Sequence, residues 1–195
     1  MGRRSETMLE NRAKLIAAAR VAFARDGFAA ASMDDLTAAA GLTRGALYHN
    51  FGDKKGLLAA VVAQIDGEIA AHAHAAGEAH PDPWQGMLVE GAAYIRMALT
   101  PEVQRIVLLD GPAFLGDPSQ WPSQNACLDA TRHKIAELVA AGVMRPVDID
   151  AAARLLSGAA LNAALWVAAN PDPQDALPKA IEVFTHLASG LKVGG

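Results

Sequence analysis

Apolar residues recur at intervals of three and four along nearly the whole chain, and this spacing predicts an all-α fold of about nine helices. Glycine and proline residues separate the periodic segments and give approximate helix bounds. The predicted helices cover residues 8–25, 33–40, 43–50, 54–76, 84–99, 101–109, 123–141, 149–169 and 175–192. We expect Leu9, Ala13, Ile16 and Phe23 to form the buried face of the first helix, which Gly27 ends.

The most informative local pattern is the run SMDDLTAAAGLTRGALYHNFGDKKGLL at residues 32–58. Ser32 is a suitable N-cap for a short helix, and Gly41 ends that helix because a residue without Cβ enters the left-handed conformation at little cost. Thr43 caps the following helix. A second helix held in this way can lie in the major groove of DNA while the first crosses the backbone. The pattern therefore predicts a helix-turn-helix.

The second of these helices carries small and polar residues on its predicted outer face. Arg44 suits a guanine edge or a phosphate, because a guanidinium forms paired hydrogen bonds with either acceptor. Lys54 follows the predicted N-cap Asp53, at a helix N-terminus that already favours a phosphate. The predicted DNA-contacting residues are Ser32, Thr43, Arg44, Gly45, Ala46, Tyr48, His49 and Lys54. The alternative is two ordinary amphipathic helices with Tyr48 and Phe51 as core aromatic residues.

The full pattern resembles the DNA-binding domain of the tetracycline-repressor (TetR) family of bacterial regulators. The resemblance rests on GLTRGALYHNFGDKKGLL, preceded by SMDDLTAAA and LIAAARVAFARDGF, and it covers about the first third of the chain. It implies that Thr43, Arg44, Gly45, Tyr48, His49 and Lys54 occupy positions that touch operator DNA. The chain departs from the family pattern at Asn50, where an aromatic residue is commoner. The family's second domain varies with its ligand.

Charge is divided unevenly along the chain. Residues 1–65 contain nine Lys and Arg against six Asp and Glu, whereas residues 66–195 contain eight against fifteen, and the total is −4. A basic N-terminal part on an acidic remainder is expected when only one domain meets phosphates. Arg3 and Arg4 form either an arm that contacts DNA or a solvated end. The predicted domains are residues 1–53, which bind DNA, and residues 54–195, which bind ligand and dimerise.

Broken helices in the second domain are surrounded by large apolar residues. Residues 77–83 and the Gly111-Pro112 pair are expected to interrupt the chain. Such interruptions favour an apolar cavity for a small effector. Its predicted lining residues are Met87, Tyr94, Phe114, Trp121, Asn162 and Trp166. The alternative for each residue is a simple place in the core.

The last two predicted helices offer more apolar surface than one small domain buries. Residues 149–169 are apolar almost all round, and residues 175–192 carry a clear apolar stripe. We expect these helices to pair with the same two of a second chain as a four-helix bundle, since two helix-turn-helix domains can read a palindrome. The alternative is a monomer with an internally packed stripe.

Several classes of protein are disfavoured. No catalytic or phosphate-binding motif occurs, so no enzyme activity and no cofactor are expected. His72, His74 and His80 are better interpreted as a solvated helix end than as a metal site. A single Cys127, no secretion signal and no full-length span indicate a soluble cytoplasmic protein without membrane contact. The prediction is a ligand-responsive transcriptional repressor that binds double-stranded operator DNA. Alternatives are an activator or a helical small-molecule-binding protein without DNA function.

Overall fold

The computed structural model describes the backbone of residues 3–194 and the side chains of residues 5–194. In this part of the chain nine α-helices occur, and the only β-type pairing is an isolated bridge between Met144 and Lys192. The helices are α1 (Arg3–Ala30), α2 (Met33–Ala39), α3 (Arg44–Phe51), α4 (Lys54–Glu78), α5 (Pro83–Arg96), α6 (Gly111–Leu115), α7 (Pro122–Ala140), α8 (Ile149–Ala169) and α9 (Pro173–Ser189). The predicted all-α fold is confirmed.

We call residues 3–53 the head and residues 54–194 the body. The buried face of α1 in the head is formed by Leu15, Ala19 and Phe23. Leu9 and Ala13 are exposed, so the predicted buried face of this helix is wrong in its first half. The reason is that α2, α3 and α4 cover Leu15 and Phe23 in the core, whereas they leave Leu9 and Ala13 exposed.

Gly27 breaks α1 as predicted. Its φ of 79° lies in the left-handed region, and the two helical stretches meet there at a kink. A Cβ at this position would lie 1.8 Å from a terminal nitrogen of Arg105, so the body also approaches Gly27 closely. The kink turns Phe28 back onto the core, where its ring packs edge-on against Phe23 at a centroid distance of 5.5 Å.

The predicted interruption at Gly111-Pro112 does not occur. A π-helical segment, Val103–Asp110, leads directly into α6, and the N–H of Gly111 donates to the Ile106 carbonyl five residues back. Pro112 then occupies the first turn of α6, where a helix requires no backbone donor. The wider π turn therefore accommodates the proline without interrupting the helical segment. That segment ends at Gly116.

The body contains two apolar clusters. One includes α4 residues such as Leu58 and Ile65 and continues into the head, so α4 packs against both parts of the molecule. The other surrounds Trp84 and Ile135 at the far end of the body. The first cluster is therefore continuous across α4 and joins the body to the head.

The last two helices end the fold as an antiparallel pair. Helix α8 matches its predicted bounds, whereas α9 begins at Pro173 behind the N-cap Asp172 and ends three residues earlier than predicted. The reason is that Leu191 accepts a backbone hydrogen bond from Arg145 at 2.9 Å, which holds the terminal residues beside the α7–α8 connection. Helix α8 is long and apolar enough to cross a membrane by length and composition alone, but it packs against α5, α7 and α9.

Candidate nucleic-acid interface and effector region

Two capped helices and a glycine turn form the outer part of the head. The hydroxyl of Ser32 accepts the N–H of Asp35 at 3.4 Å, and that of Thr43 accepts the N–H of Ala46 at 3.2 Å. Gly41 between them has a φ of 65°. Each predicted cap is present, so the angle between α2 and α3 is determined by local hydrogen bonds as well as by packing.

The inward-facing residues of α2 and α3 pack into the core and so fix the position of the outer face of α3. Leu36 of α2 and Leu47 of α3 are fully buried in the same cluster, and Leu42 of the turn packs against that cluster. Thr37 is buried too, and its hydroxyl donates to the Met33 carbonyl at 3.0 Å. The inward face is therefore satisfied, and α3 presents its remaining residues as a rigid unit.

The outer face of α3 carries most of the predicted DNA-contacting residues. Tyr48 is half exposed although it belongs to a well-packed helix, which excludes the alternative that it is a core aromatic residue. Ala46 is partly buried beneath this face. The exposed residues on α3 or at its N-cap are Thr43, Arg44, Gly45, Tyr48 and His49, and Ser32 is exposed at the N-cap of α2. The structure therefore places five of the eight predicted residues, all exposed, together at α3, and contact of the predicted set with DNA stays a prediction.

Arg44 is held by an acid that the sequence did not single out. Its guanidinium donates two hydrogen bonds to the carboxylate of Asp34 on α2, one of them at 2.6 Å. Both side chains are more than half exposed, so the pair contributes little to stability. Its effect is to fix the direction of Arg44, because a bidentate pair restricts the planar guanidinium.

The departure at Asn50 is accommodated locally. Its side-chain amide donates to the Ala46 backbone carbonyl at 2.8 Å, and its backbone carbonyl accepts from the Arg12 guanidinium at 3.2 Å. The guanidinium of Arg12 also lies 4.6 Å from the centre of the Phe51 ring. Asn50 thus joins the end of α3 to α1, without an aromatic ring at that position. The side chains of Arg3 and Arg4, the predicted arm, lie outside the described residues.

Lys54 is anchored more firmly than a free surface cation. It begins α4 behind the N-cap Asp53, whose carboxylate accepts the N–H of Gly56 at 2.6 Å. Its ammonium donates to the Ala29 carbonyl at 3.3 Å and lies 4.7 Å from the centre of the Phe28 ring. Partial burial lowers the pKa of Lys54. The ammonium keeps donors for a phosphate while it joins α4 to the end of α1.

The predicted effector-lining residues do not form one group. Tyr94 and Trp121 contact the cluster that surrounds α4, whereas Met87 contacts the cluster around Trp84. The ring of Phe114 lies 4.5 Å from that of Phe28, at the boundary between body and head. The set is therefore divided among three places, because the π-helical segment carries Phe114 toward the head.

Two further members of the predicted set require correction. Asn162 is exposed, and Trp166 is 48% exposed on the outer side of α8. Neither side chain faces the interior of its own chain, so neither belongs to the wall of an internal cavity. The inward face of α8 is instead made of small residues such as Ala160 and Ala164, which allow close contact with neighbouring helices.

A buried acid in α4 is the polar feature that the sequence interpretation missed. Asp66 accepts a hydrogen bond from the Ser123 hydroxyl at 2.6 Å and another from the Gln124 amide at 3.4 Å. A signal was present, because Asp66 lies four residues after Val62 and three before Ile69, on the buried stripe of the helix. Its partners, however, are more than fifty residues away.

The histidine-rich end of α4 carries no metal-ligand set. Among the side chains of residues 5–194, no group of three His, Cys, Asp or Glu has a suitable arrangement. The ring of His74 lies 3.7 Å from the Glu90 carboxylate.

Comparisons with known proteins match both parts of the chain. Residues 15–61 match the family described as bacterial regulatory proteins, tetR family, and residues 84–191 match the tetracyclin repressor-like C-terminal domain. The HTH-type transcriptional repressor AcnR of Corynebacterium glutamicum is 29% identical over 143 residues, covering 71% of this chain and 73% of that protein.

Solved structures agree with these matches. A TetR-family transcriptional regulator from Pectobacterium atrosepticum is 45% identical with a TM-score of 0.89, covering 99% of this chain and 98% of that chain. The fatty acid degradation regulator FadR from Bacillus halodurans shares the fold at 15% identity, with a TM-score of 0.66 and coverage of 89% and 94%.

Proposed function

The chain belongs to the tetracycline-repressor family of bacterial transcriptional regulators, and from this premise we propose that it is a homodimeric, effector-released repressor of a palindromic operator. The family is described as bacterial regulatory proteins, and we infer that this chain is a regulator that acts in the cytoplasm rather than an enzyme. The observation that carries the proposal is the outer face of α3, where an exposed aromatic and polar surface rests on a fully packed inner face.

Contact with DNA follows from the shape and chemistry of this face. Gly45 and the partly buried Ala46 leave room for close approach of the groove, while Arg44 and His49 offer donors. Thr43 and Lys54 stand at helix N-termini, where backbone N–H groups and the helix dipole favour phosphates. We assign Arg44 to base discrimination and Lys54 to positioning on the backbone.

Dimerisation is supported by an apolar face on α8 and α9. Leu155 is 74% exposed and Leu187 is 63% exposed, although both belong to well-packed helices. Leu155 and Trp166 are eleven residues apart, or about three turns, so they share one side of α8. Val183 and Leu187 are one turn apart on α9. An apolar face of this extent favours a second copy of the chain through a four-helix bundle.

Regulation requires a path from the body to the head, and the boundary between them is tightly connected. Asp110 of the π-helical segment accepts the backbone N–H of Phe28 at 2.7 Å. Arg20 of α1 donates paired hydrogen bonds to Glu68 of α4 and further bonds to Glu102. An effector that displaces α4 or the π-helical segment therefore alters the position of the head.

Repression with release by ligand is the form of regulation that we favour. The relative AcnR is named a transcriptional repressor, and that name supports repression over activation here. Release requires only that the effector bind the DNA-incompetent arrangement more tightly, and coupling of about 1–3 kcal/mol is typical of allosteric proteins.

The test is binding of the full chain to DNA from upstream of its own coding region. We expect selective retardation of this fragment over a scrambled fragment of equal composition, and a dimeric mass by light scattering. A reporter driven by the same fragment should fall when the chain is expressed. Absence of any DNA binding at low salt would contradict the proposal, and a rise of the reporter would indicate an activator.

A further inference from the structure

The first turn of α7 meets the middle of α4 around one buried carboxylate. Asp66 is only 2% exposed. Its Oδ2 atom accepts the bonds from Ser123 and Gln124, whereas its Oδ1 atom has no hydrogen-bond partner among the described residues. A buried polar atom without a partner is costly, and native structures contain few of them. Each such atom therefore indicates a strained or functional position.

The carboxylate also lacks a counter-charge. In the described part of the chain no Lys, Arg or His forms an ion pair with Asp66, and its two donors are neutral. The Cys127 thiol, partly buried nearby, has its pKa raised by burial and by the charges of Asp66 and Glu90. The surroundings of Asp66 are therefore acidic, and a cation brought there is stabilised by attraction to the carboxylate.

Two aromatic residues accompany the donors of Asp66, Tyr94 in space and Trp121 in sequence. Trp121, which is 8% exposed, lies two residues before Ser123, and its indole N–H also lacks a partner among the described residues. The Tyr94 hydroxyl lies 3.5 Å from the Gln124 amide, and burial together with the charge of Asp66 raises the pKa of Tyr94. Ring faces suit the apolar part of a ligand and also attract a cation.

We propose that this cluster, formed by Asp66, Tyr94, Trp121, Ser123 and Gln124, binds a small apolar amine in its protonated form, whose ammonium donates to Oδ1 of Asp66. An ammonium supplies both the missing hydrogen bond and the missing positive charge. A neutral hydroxyl group supplies only the hydrogen bond, so the amine is favoured over an alcohol of equal size.

The position of the cluster connects binding to DNA release, and this consequence rests on the proposed function. Asp66 is twelve residues from Lys54 on the same helix, or about 18 Å along its axis. Ser123 and Gln124 connect the same carboxylate to the start of α7. An ammonium inserted beside Asp66 competes with these bonds and changes how α4 packs, which moves the head.

The experiment compares matched amines and alcohols on the full-length protein at pH 7.5. The probes are benzylamine, 2-phenylethylamine and tryptamine, each paired with the corresponding alcohol, with affinity measured by titration calorimetry and thermal shift. At least one amine should bind ten or more times tighter than its alcohol. Asp66→Asn should reduce that amine's affinity at least tenfold, whereas Glu137→Gln, which alters an exposed acid of α7, should not.

A stability readout separates binding from misfolding. Asp66→Asn should melt at the same temperature as the wild type or higher, because the amide keeps an acceptor for Ser123 and removes a buried charge. The proposal is overturned if no amine binds, if amines and alcohols bind equally, or if Asp66→Asn binds the amine normally. Amine binding that leaves operator affinity unchanged overturns the assignment as effector site. A chain that binds amines at Asp66 but no DNA contradicts the proposed function instead.

Discussion

The head and the body differ in where their chemistry is located. Thr43 and Arg44 lie on the surface of the head and have partners close in sequence, Thr43 as the cap of α3 and Arg44 in its pair with Asp34. In the body, the acid Asp66 is buried, and its hydrogen-bond partners come from α7, more than fifty residues later in the sequence. The head thus offers an exposed polar surface, whereas the acid that distinguishes the body is enclosed.

The comparison also explains why the two parts need each other. In the proposed dimer, duplication through α8 and α9 serves the head, because one helix-turn-helix makes too few contacts for selective binding. In the proposed regulation, the body acts on DNA through the head, by way of α4 and the hydrogen bond from the Phe28 N–H to Asp110.

The largest expected effect on operator affinity comes from preventing dimerisation. Leu155→Glu combined with Leu187→Glu places charges on the exposed apolar face of α8 and α9. We expect a folded monomer whose operator affinity falls by at least about 100-fold, because specific sites bind about 10³–10⁷ times tighter than non-specific DNA. Light scattering measures the oligomeric state, and fluorescence anisotropy measures the operator affinity. The control is Val21→Glu, at an exposed apolar residue of α1. A dimer that survives the double substitution would refute dimerisation through α8 and α9.

The next largest effect distinguishes recognition of specific bases from general attraction between the head and the DNA backbone. Arg44→Ala should reduce the preference for operator over scrambled DNA by about 1–3 kcal/mol, the value of one good contact with a base. Competition binding measures this preference. Arg25→Ala removes an exposed arginine of α1 that is paired with Asp26, and it should leave the preference unchanged. Equal losses on both DNAs would assign Arg44 to phosphates.

A smaller effect is expected at the junction of head and body. Lys54→Ala should weaken binding to all DNA sequences and reduce the salt slope by about one, as expected for one phosphate contact. Anisotropy titrations across a range of salt concentrations give the slope. Lys55→Ala, at the exposed neighbouring lysine, is the comparison. If Lys54→Ala loses the same affinity at low and high salt, the ammonium is structural, through Ala29 and Phe28.

The smallest effect concerns pH and the buried acid of the body. Burial raises the pKa of Asp66, so the folded state holds this proton more tightly than the unfolded chain, whose value is near 3.8. The stability that this carboxyl contributes is complete below that pH and is lost as pH rises through the folded value. The stability of Asp66→Asn relative to wild type should therefore increase between pH 4 and pH 7 in urea unfolding. A stability difference between Asp66→Asn and wild type that is constant with pH would contradict the raised pKa of Asp66.

The same contrast between local and distant partners decides how much the sequence alone could predict. The caps Ser32 and Thr43 and the turn at Gly41 act on neighbours a few residues away, so α2, α3 and the turn between them were predictable from local patterns. The outer positions of α8 were ambiguous, because an apolar residue such as Trp166 suits either a cavity wall or a surface between chains.

The body contains the features that local patterns could not give. The π-helical segment depends on tertiary packing, and it carried Phe114 toward Phe28 against expectation. The partners of Asp66 come from a helix more than fifty residues later, and no local spacing signals that contact.

The central claim is that two copies of α3 read adjacent major grooves from one symmetric dimer. Hydroxyl-radical footprinting of the wild-type chain on its upstream DNA tests this claim most directly. We predict two protected stretches on one face of the duplex, related by two-fold symmetry and about 10 base pairs apart from centre to centre. A single protected stretch, or uniform protection without symmetry, would contradict it.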